Sequence, residues 1–157
     1  MGLPFWIIFL VTALFYAHTA IHELGHALTA RFYGYRTTHF EIGLKRLSFS
    51  WVTRGVRFRL GFPPFYGYHQ YERPTASRPE RQRLAEEIKI ILAGPLLSTA
   101  TLIIIWVLLF SSGHFTNFMY FAAAPIVLET LNLLPCSPDG RRIRFRLRAY
   151  SHLTRGS

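Results

Sequence analysis

Residues 3–21 read LPFWIIFLVTALFYAHTAI and contain no Lys, Arg, Asp or Glu, and HELGH follows directly at residues 22–26. On a helix, His22 and His26 lie on one face, about 6 Å apart along the axis. Their imidazole nitrogens can therefore close on one tetrahedral Zn²⁺ at about 2 Å each, and Glu23 can accept a proton from a water molecule beside the metal. In a soluble metalloprotease this helix is amphipathic. Here the uncharged stretch predicts a zinc site at membrane depth.

Two further stretches, 90–110 and 115–135, are apolar over about the 20 residues that a helix needs to cross the hydrocarbon core. Three buried helices of this kind in a soluble protein of 157 residues would leave too little polar chain to cover them. We therefore predict an α-helical integral membrane protein that forms a single domain over residues 1–157. Its three transmembrane helices are expected at about residues 3–30, 88–110 and 115–135.

The cationic residues predict the orientation of the chain. Lys and Arg are absent from residues 1–30 and 90–140, whereas eleven of the eighteen lie between Arg31 and Arg83 and six between Arg141 and Arg155. Cytoplasmic flanks of membrane spans carry such charges, so we expect the N-terminus outside and the C-terminus in the cytoplasm. We expect the protein to lie in the cell membrane. The alternative for the first span is a cleaved signal peptide, but it lacks a basic region before the apolar stretch.

The net charge of +10 is compatible with two classes of partner, nucleic acid and anionic lipid. In a membrane protein, basic segments beside the spans more often reflect the topology and contact with lipid head groups than nucleic-acid binding. The run from Arg142 to Arg148 alternates arginine with apolar residues, which favours a strand lying at the interface. We therefore predict a basic, membrane-surface tail over residues 141–157, a lipid bilayer as partner, and no nucleic acid.

Residues 36–70 predict a small, membrane-associated β segment between the first and second helices. Thr38–Leu44 and Leu47–Thr53 are short and β-rich, Val56, Phe58 and Leu60 alternate with arginines, and an aromatic loop follows at residues 61–68. An open edge of such a sheet could accept an extended peptide as an additional strand, and we expect the strand around Val56 and Phe58 to provide it. The alternative is a sheet that only fills the space between helices.

The second span has a recognisable start and an interruption. Ser77-Arg78-Pro79-Glu80 is typical of a helix start, and the helix is predicted to continue into the apolar stretch. Gly94-Pro95 then interrupts it, because proline lacks a backbone donor and kinks a helix. We expect this kink to reflect close approach to a metal site; the alternative is ordinary packing, which explains many such kinks.

A catalytic zinc needs a third protein ligand. His18 is eight positions from His26, about 12 Å along the helix, which is too far to reach the same ion. Asp139 is the only aspartate and follows the third span on its predicted cytoplasmic side, at the depth expected for the motif histidines. Glu129, inside that span, is a competing ligand, and Cys136 is a softer alternative. The other histidines are expected in loops or basic flanks, without a partner pattern: His39, His69, His114 and His152.

In addition to HELGHAL at residues 22–28, three motifs occur in order along the chain. Residues 40–43 (FEIG) and 59–68 (RLGFPPFYGY) form the first, residues 93–96 (AGPL) the second, and Asn132–Pro135 with Asp139-Gly140 the third. Together they resemble the site-2 protease family of intramembrane zinc metalloproteases. They are similar to that family's HExGH motif, its membrane-reentrant β segment ending in Gly-Gly-Tyr, its AGP motif and its NxxP…DG motif.

The resemblance implies that Asp139 is the third metal ligand, that Glu23 is the general base, and that Asn132 lies near the substrate or the oxyanion. The 157 residues leave no room for a PDZ or CBS domain, so the chain resembles a compact catalytic core. The chain departs from the family pattern in three places. The segment from Pro135 to Asp139 is one residue shorter, Ser98 stands where asparagine is common, and Tyr66 replaces the first glycine of the Gly-Gly-Tyr turn.

These patterns predict an intramembrane zinc metalloendopeptidase that hydrolyses peptide bonds in or near the transmembrane segments of membrane proteins. One alternative is a membrane zinc protein without proteolytic activity, such as a transporter or a sensor. A transporter would place ionisable residues along a pathway, whereas this chain concentrates them at one depth and adds a glutamate base. The second alternative is a soluble zinc protease that uses Glu129 as third ligand.

Overall fold

The computed structural model describes residues 5–74, 78–111, 134 and 137–155. Two compact units are present, Met1–Pro74 and Thr75–Ser157. Apart from Leu134, the third predicted span, 115–135, lies outside the described residues, as do Glu129, Asn132 and Cys136.

The first unit begins with α1 (Phe5–Phe32), which contains the HELGH motif in its last third. The helix ends in a Schellman motif: Tyr35 N–H donates to Ala30 O and Gly34 N–H donates to Arg31 O, both at 2.9 Å. Gly34 adopts the left-handed conformation that this motif requires (φ 78°). The chain therefore leaves the helix in a defined direction and enters the first strand at Arg36.

Four strands follow: β1 (Arg36–Ile42), β2 (Leu47–Thr53), β3 (Val56–Phe62) and β4 (Gly67–Glu72). The order in the sheet is β2-β3-β1-β4, with β1 and β3 parallel and the other pairs antiparallel. Arg54 and Gly55 both have positive φ between β2 and β3, as a two-residue hairpin turn requires. The predicted small β segment between the first two helices is confirmed.

The expected position of the open edge is wrong. Val56 and Phe58 belong to β3, which pairs with β1 on one side and with β2 on the other. The two outer strands of the described sheet are β2 and β4. The alternation of Val56 and Phe58 with arginines indicates that apolar and basic side chains lie on opposite faces of the strand. It carries no information about which strands pair.

The sheet is attached to α1 through β1, β4 and the loop before β4. Tyr16 Oη donates to Gly61 O (2.7 Å), and Thr19 Oγ1 donates to Pro64 O (2.8 Å). The rings of Phe15 and Phe65 meet edge to face, with centroids 4.9 Å apart. These contacts lie within two turns of the helix on the N-terminal side of the HELGH motif, so they set the position of β4 beside it.

The second unit contains α2 (Glu80–Ser111) and α3 (Pro138–Arg155). The predicted start of α2 at Glu80 and its continuation through the apolar stretch are confirmed, and Pro95 lies inside the helix. Segments Ile8–Phe32 and Glu80–Leu108 are long and apolar enough to cross a membrane. The prediction of three transmembrane helices is therefore supported for two of them.

The predicted strand at Arg142–Arg148 is wrong, because these residues form the middle of α3. Ser137 caps the helix by accepting a hydrogen bond from Gly140 N–H at 2.9 Å, and Pro138 occupies the first helical position. Contacts with α2 stabilise the helix: Arg146 Nε lies 2.7 Å from a Glu87 carboxylate oxygen, and Arg81 Nε donates to Tyr150 Oη at 3.2 Å. Three exposed arginines form a stripe along the opposite face: Arg141, Arg144 and Arg148.

Candidate metal centre

The two histidines and the glutamate of the HELGH motif form a buried group on α1. His22, Glu23 and His26 each expose 6% or less of their surface, and one ligand atom from each lies within 4.8 Å of the others. The Nε2 atoms of the two histidines are 3.2 Å apart. Two zinc–nitrogen bonds of about 2.0–2.1 Å at the tetrahedral angle separate the nitrogens by about 3.3–3.4 Å. The histidine pair is therefore spaced to bind one metal ion through both Nε2 atoms, and the donor set suits Zn²⁺.

The first residue of β4 determines where the Glu23 carboxylate lies. A Cβ atom added at Gly67 would overlap Glu23 Oε1 and crowd the rest of the carboxyl group. Only glycine therefore leaves room for the Glu23 carboxyl group in this position. Glu23 is held against the sheet in a buried position next to the histidines, as a group that exchanges protons with a water at the metal must be.

Replacing Gly67 with Ala should displace the Glu23 carboxylate. A misplacement of about 1 Å costs roughly 100-fold in rate, so we expect peptide cleavage to fall by about that factor. Zinc content should stay normal because His22 and His26 are not displaced. Lys45→Ala, at an exposed position between β1 and β2, is the control and should retain full activity. Cleavage and zinc are measured on the same preparations; unchanged cleavage by Gly67→Ala would show that the carboxylate position is not critical.

His69 is a neighbour of the site that the sequence analysis missed. It is buried on β4, and its ring lies nearly parallel to that of His26, with 13° between the planes and 6.4 Å between centroids. The expectation that His69 lies in a loop or basic flank without a partner is wrong. A signal was present: His69 is two residues after Gly67, so in a strand both face the same side of the sheet.

Asp139 lies in the first turn of α3, in the second unit. Its side chain is 14% exposed, and one carboxylate oxygen is 4.0 Å from Arg142 Nη1. His22, Glu23 and His26 are brought together within the first unit. The role of Asp139 as third ligand therefore stays a prediction, as does the role of Asn132.

A buried HExxH histidine pair with its glutamate, on a helix long and apolar enough to cross a membrane, is the arrangement typical of membrane metallopeptidases. The chain belongs to peptidase family M50, whose family model matches residues 10–119. It is also 34% identical over 80 residues to a "putative zinc metalloprotease" of Rhizobium meliloti (strain 1021). That match covers 49% of this chain and 20% of the relative, so the chain spans about a fifth of the relative's length. The resemblance to the site-2 protease family is confirmed, and the cofactor is Zn²⁺.

Proposed function

We propose that this protein is an intramembrane zinc endopeptidase that cleaves membrane proteins in or near their transmembrane segments. The observation that supports this most directly is the burial of His22, Glu23 and His26 within Ile8–Phe32, a segment suited to spanning a membrane. The test is purification of the full chain in detergent, with zinc stoichiometry and cleavage of a membrane-spanning reporter measured together. A protein that binds zinc and leaves the reporter intact would be a non-proteolytic zinc protein, an alternative that family membership does not favour.

Zn²⁺, when bound, lowers the pKa of a coordinated water and polarises the carbonyl of the peptide bond to be cleaved. Glu23 accepts a proton from the water as the water oxygen adds to the carbonyl carbon. The carbon–nitrogen bond then breaks, and Glu23 returns the proton to the leaving amine. Gly67 contributes by keeping the Glu23 carboxylate beside the histidines. Burial of all three groups excludes bulk water, which strengthens their electrostatic interactions with the reacting atoms.

Asp139 is our proposed third ligand, and the packing of α3 on α2 supports it. Tyr150 pairs with Arg81 and Arg146 with Glu87, so α3 runs back along α2 in the opposite direction. Asp139 precedes Arg146 by seven residues, which is about 10 Å along a helix. This direction carries the carboxylate to about the level of Pro95, within the stretch of α2 that is apolar enough to cross a membrane.

We further propose that β4 is the edge that holds the substrate extended. It is an outer strand of the described sheet, and its first residue touches the catalytic glutamate. A helical substrate hides its carbonyl groups in intrahelical hydrogen bonds, so it must unwind before cleavage. Pairing with β4 would replace those bonds and present the backbone beside Glu23.

The edge can be tested by disulfide trapping. Gln70→Cys on β4 and Ser50→Cys on β2 are both exposed positions, on the two outer strands. Each is made in a Glu23→Gln, Cys136→Ser background, so that the substrate is not cleaved and no other cysteine is present. A reporter with single cysteines near its cleavage site should cross-link to Gln70→Cys and not to Ser50→Cys. The reverse pattern would assign the substrate to β2.

The charge distribution supports an outside N-terminus and a cytoplasmic α3 in the cell membrane. Ser151→Cys and Ser112→Cys, each in a Cys136→Ser background, test this orientation. An impermeant thiol reagent added to intact cells should label Ser112→Cys and leave Ser151→Cys unlabelled until the cells are permeabilised. The opposite labelling pattern would show that the chain has the opposite orientation in the membrane.

A further inference from the structure

A continuous run of aromatic rings leads from the metal site into the sheet. The ring of His22 meets that of His26 edge to face (4.9 Å), and His26 stacks on His69 (6.4 Å). His69 in turn contacts Tyr71 (5.6 Å), and Tyr71 meets Tyr35 edge to face (5.2 Å). His22, His26, His69 and Tyr35 are buried. The imidazole of His26 therefore has a metal-binding neighbour on one side and a neighbour from β4 on the other.

The ring of His69 is itself held by a polar contact. Its Nε2 lies 3.0 Å from Thr37 Oγ1 on β1. This contact depends on an irregularity in the strand pairing: Thr37 pairs with Tyr71 and Phe40 with His69, so one extra residue is accommodated in β1 between Thr37 and His39. Without this bulge, Thr37 and Phe40 would face opposite sides of the sheet. With it, the Thr37 hydroxyl lies on the same face as His69.

We propose that His69 is a positioning residue of the zinc site, which fixes the orientation of the His26 ring. Its flat face packs against His26, while its Nε2 edge is anchored by Thr37. Ring pairs at centroid distances of 4.5–7 Å attract each other and restrict rotation, which suits a ligand that must present Nε2 toward the His22 Nε2. Among the described residues, His69 is outside the group whose ligand atoms converge, so it acts through His26. This inference rests on the proposed metal site.

Three variants of the full chain, purified in detergent, distinguish the contribution of the His69 ring from that of its contact with Thr37. His69→Ala removes both the ring and the anchor, His69→Phe keeps a flat ring without the anchor, and Thr37→Val removes only the hydroxyl. Zinc affinity is measured by competition with a chelator, and the coordination geometry by the visible spectrum of the Co²⁺-substituted protein. All variants also carry Glu23→Gln, so neither measurement depends on cleavage.

Loss of a group that orients a metal ligand typically costs 10- to 100-fold in metal affinity. We expect His69→Ala to lose about that much and to change the Co²⁺ spectrum. His69→Phe and Thr37→Val should lose less and shift the spectrum in the same direction. His39→Ala is the matched control: His39 precedes Phe40 in β1 and lies on the opposite face of the sheet, so zinc affinity should not change.

Two results would overturn the proposal. Unchanged zinc affinity and an unchanged Co²⁺ spectrum in both His69→Ala and His69→Phe would reduce His69 to a packing residue. A complete loss of zinc, equal to that of His26→Ala, in both variants would make His69 a ligand. His69→Phe keeps the volume of the ring, so the test remains available if His69→Ala does not fold. Absence of protease activity in the unmodified chain would contradict the proposed function and leave these zinc measurements valid.

Discussion

Replacing Glu23 with Gln should abolish cleavage of a membrane-spanning reporter while the protein keeps its zinc. The amide has nearly the same shape as the carboxylate and fits the same space beside Gly67, but it cannot accept a proton. General acid–base catalysis typically raises the reaction rate by about 10²–10⁴-fold, so turnover should fall by about 100-fold or more. Metal content should remain at one zinc per chain, because the ring nitrogens of His22 and His26 are unaffected.

Cleavage rate and zinc stoichiometry are measured on one preparation of each variant. Glu80→Gln is the matched control: the same chemical change at an exposed residue in the first turn of α2. It should behave like the unmodified protein. Near-normal turnover by Glu23→Gln would remove Glu23 from the reaction and with it the proposed mechanism.

Replacing Asp139 with Ala should lower zinc affinity by more than about 100-fold, beyond the range typical of groups that only orient a ligand. The reason is that a catalytic zinc needs three protein ligands, and the first unit brings together two histidines and a glutamate that the mechanism reserves as base. Glu129→Gln should leave the metal content unchanged. If Glu129→Gln removes the metal and Asp139→Ala does not, Glu129 is the ligand.

The Asp139 change also alters the first turn of α3, so a control for the helix start is needed. Ser137→Ala removes the hydroxyl that caps α3 and should cost about 1 kcal/mol of helix stability. It leaves the Asp139 carboxylate in place. Normal zinc affinity in Ser137→Ala together with zinc loss in Asp139→Ala would separate metal binding from helix capping.

Patterns within single elements were sufficient to predict α1, the start of α2 and the closeness of His22 to His26. Amino acids four positions apart on a helix are neighbours whatever the rest of the chain does, so the HELGH spacing already brings His22 to His26. The length and apolarity of the first two spans likewise follow from composition alone. The presence of a small sheet could be predicted from β-rich runs separated by turn residues.

Contacts between elements decided what those local patterns leave open. The alternation from Arg142 to Arg148 fits a strand, but the Ser137 cap and the pairing of Arg146 with Glu87 stabilise a helix instead. Which strands lie at the edges depends on the pairing of β1 with β3 and β4, which joins residues far apart in sequence. The same pairing carries Gly67 against Glu23 and His69 against His26. The sequence alone therefore determined the candidate metal ligands on α1, whereas only the tertiary structure decided which side chains surround them, because long-range packing has no local signature.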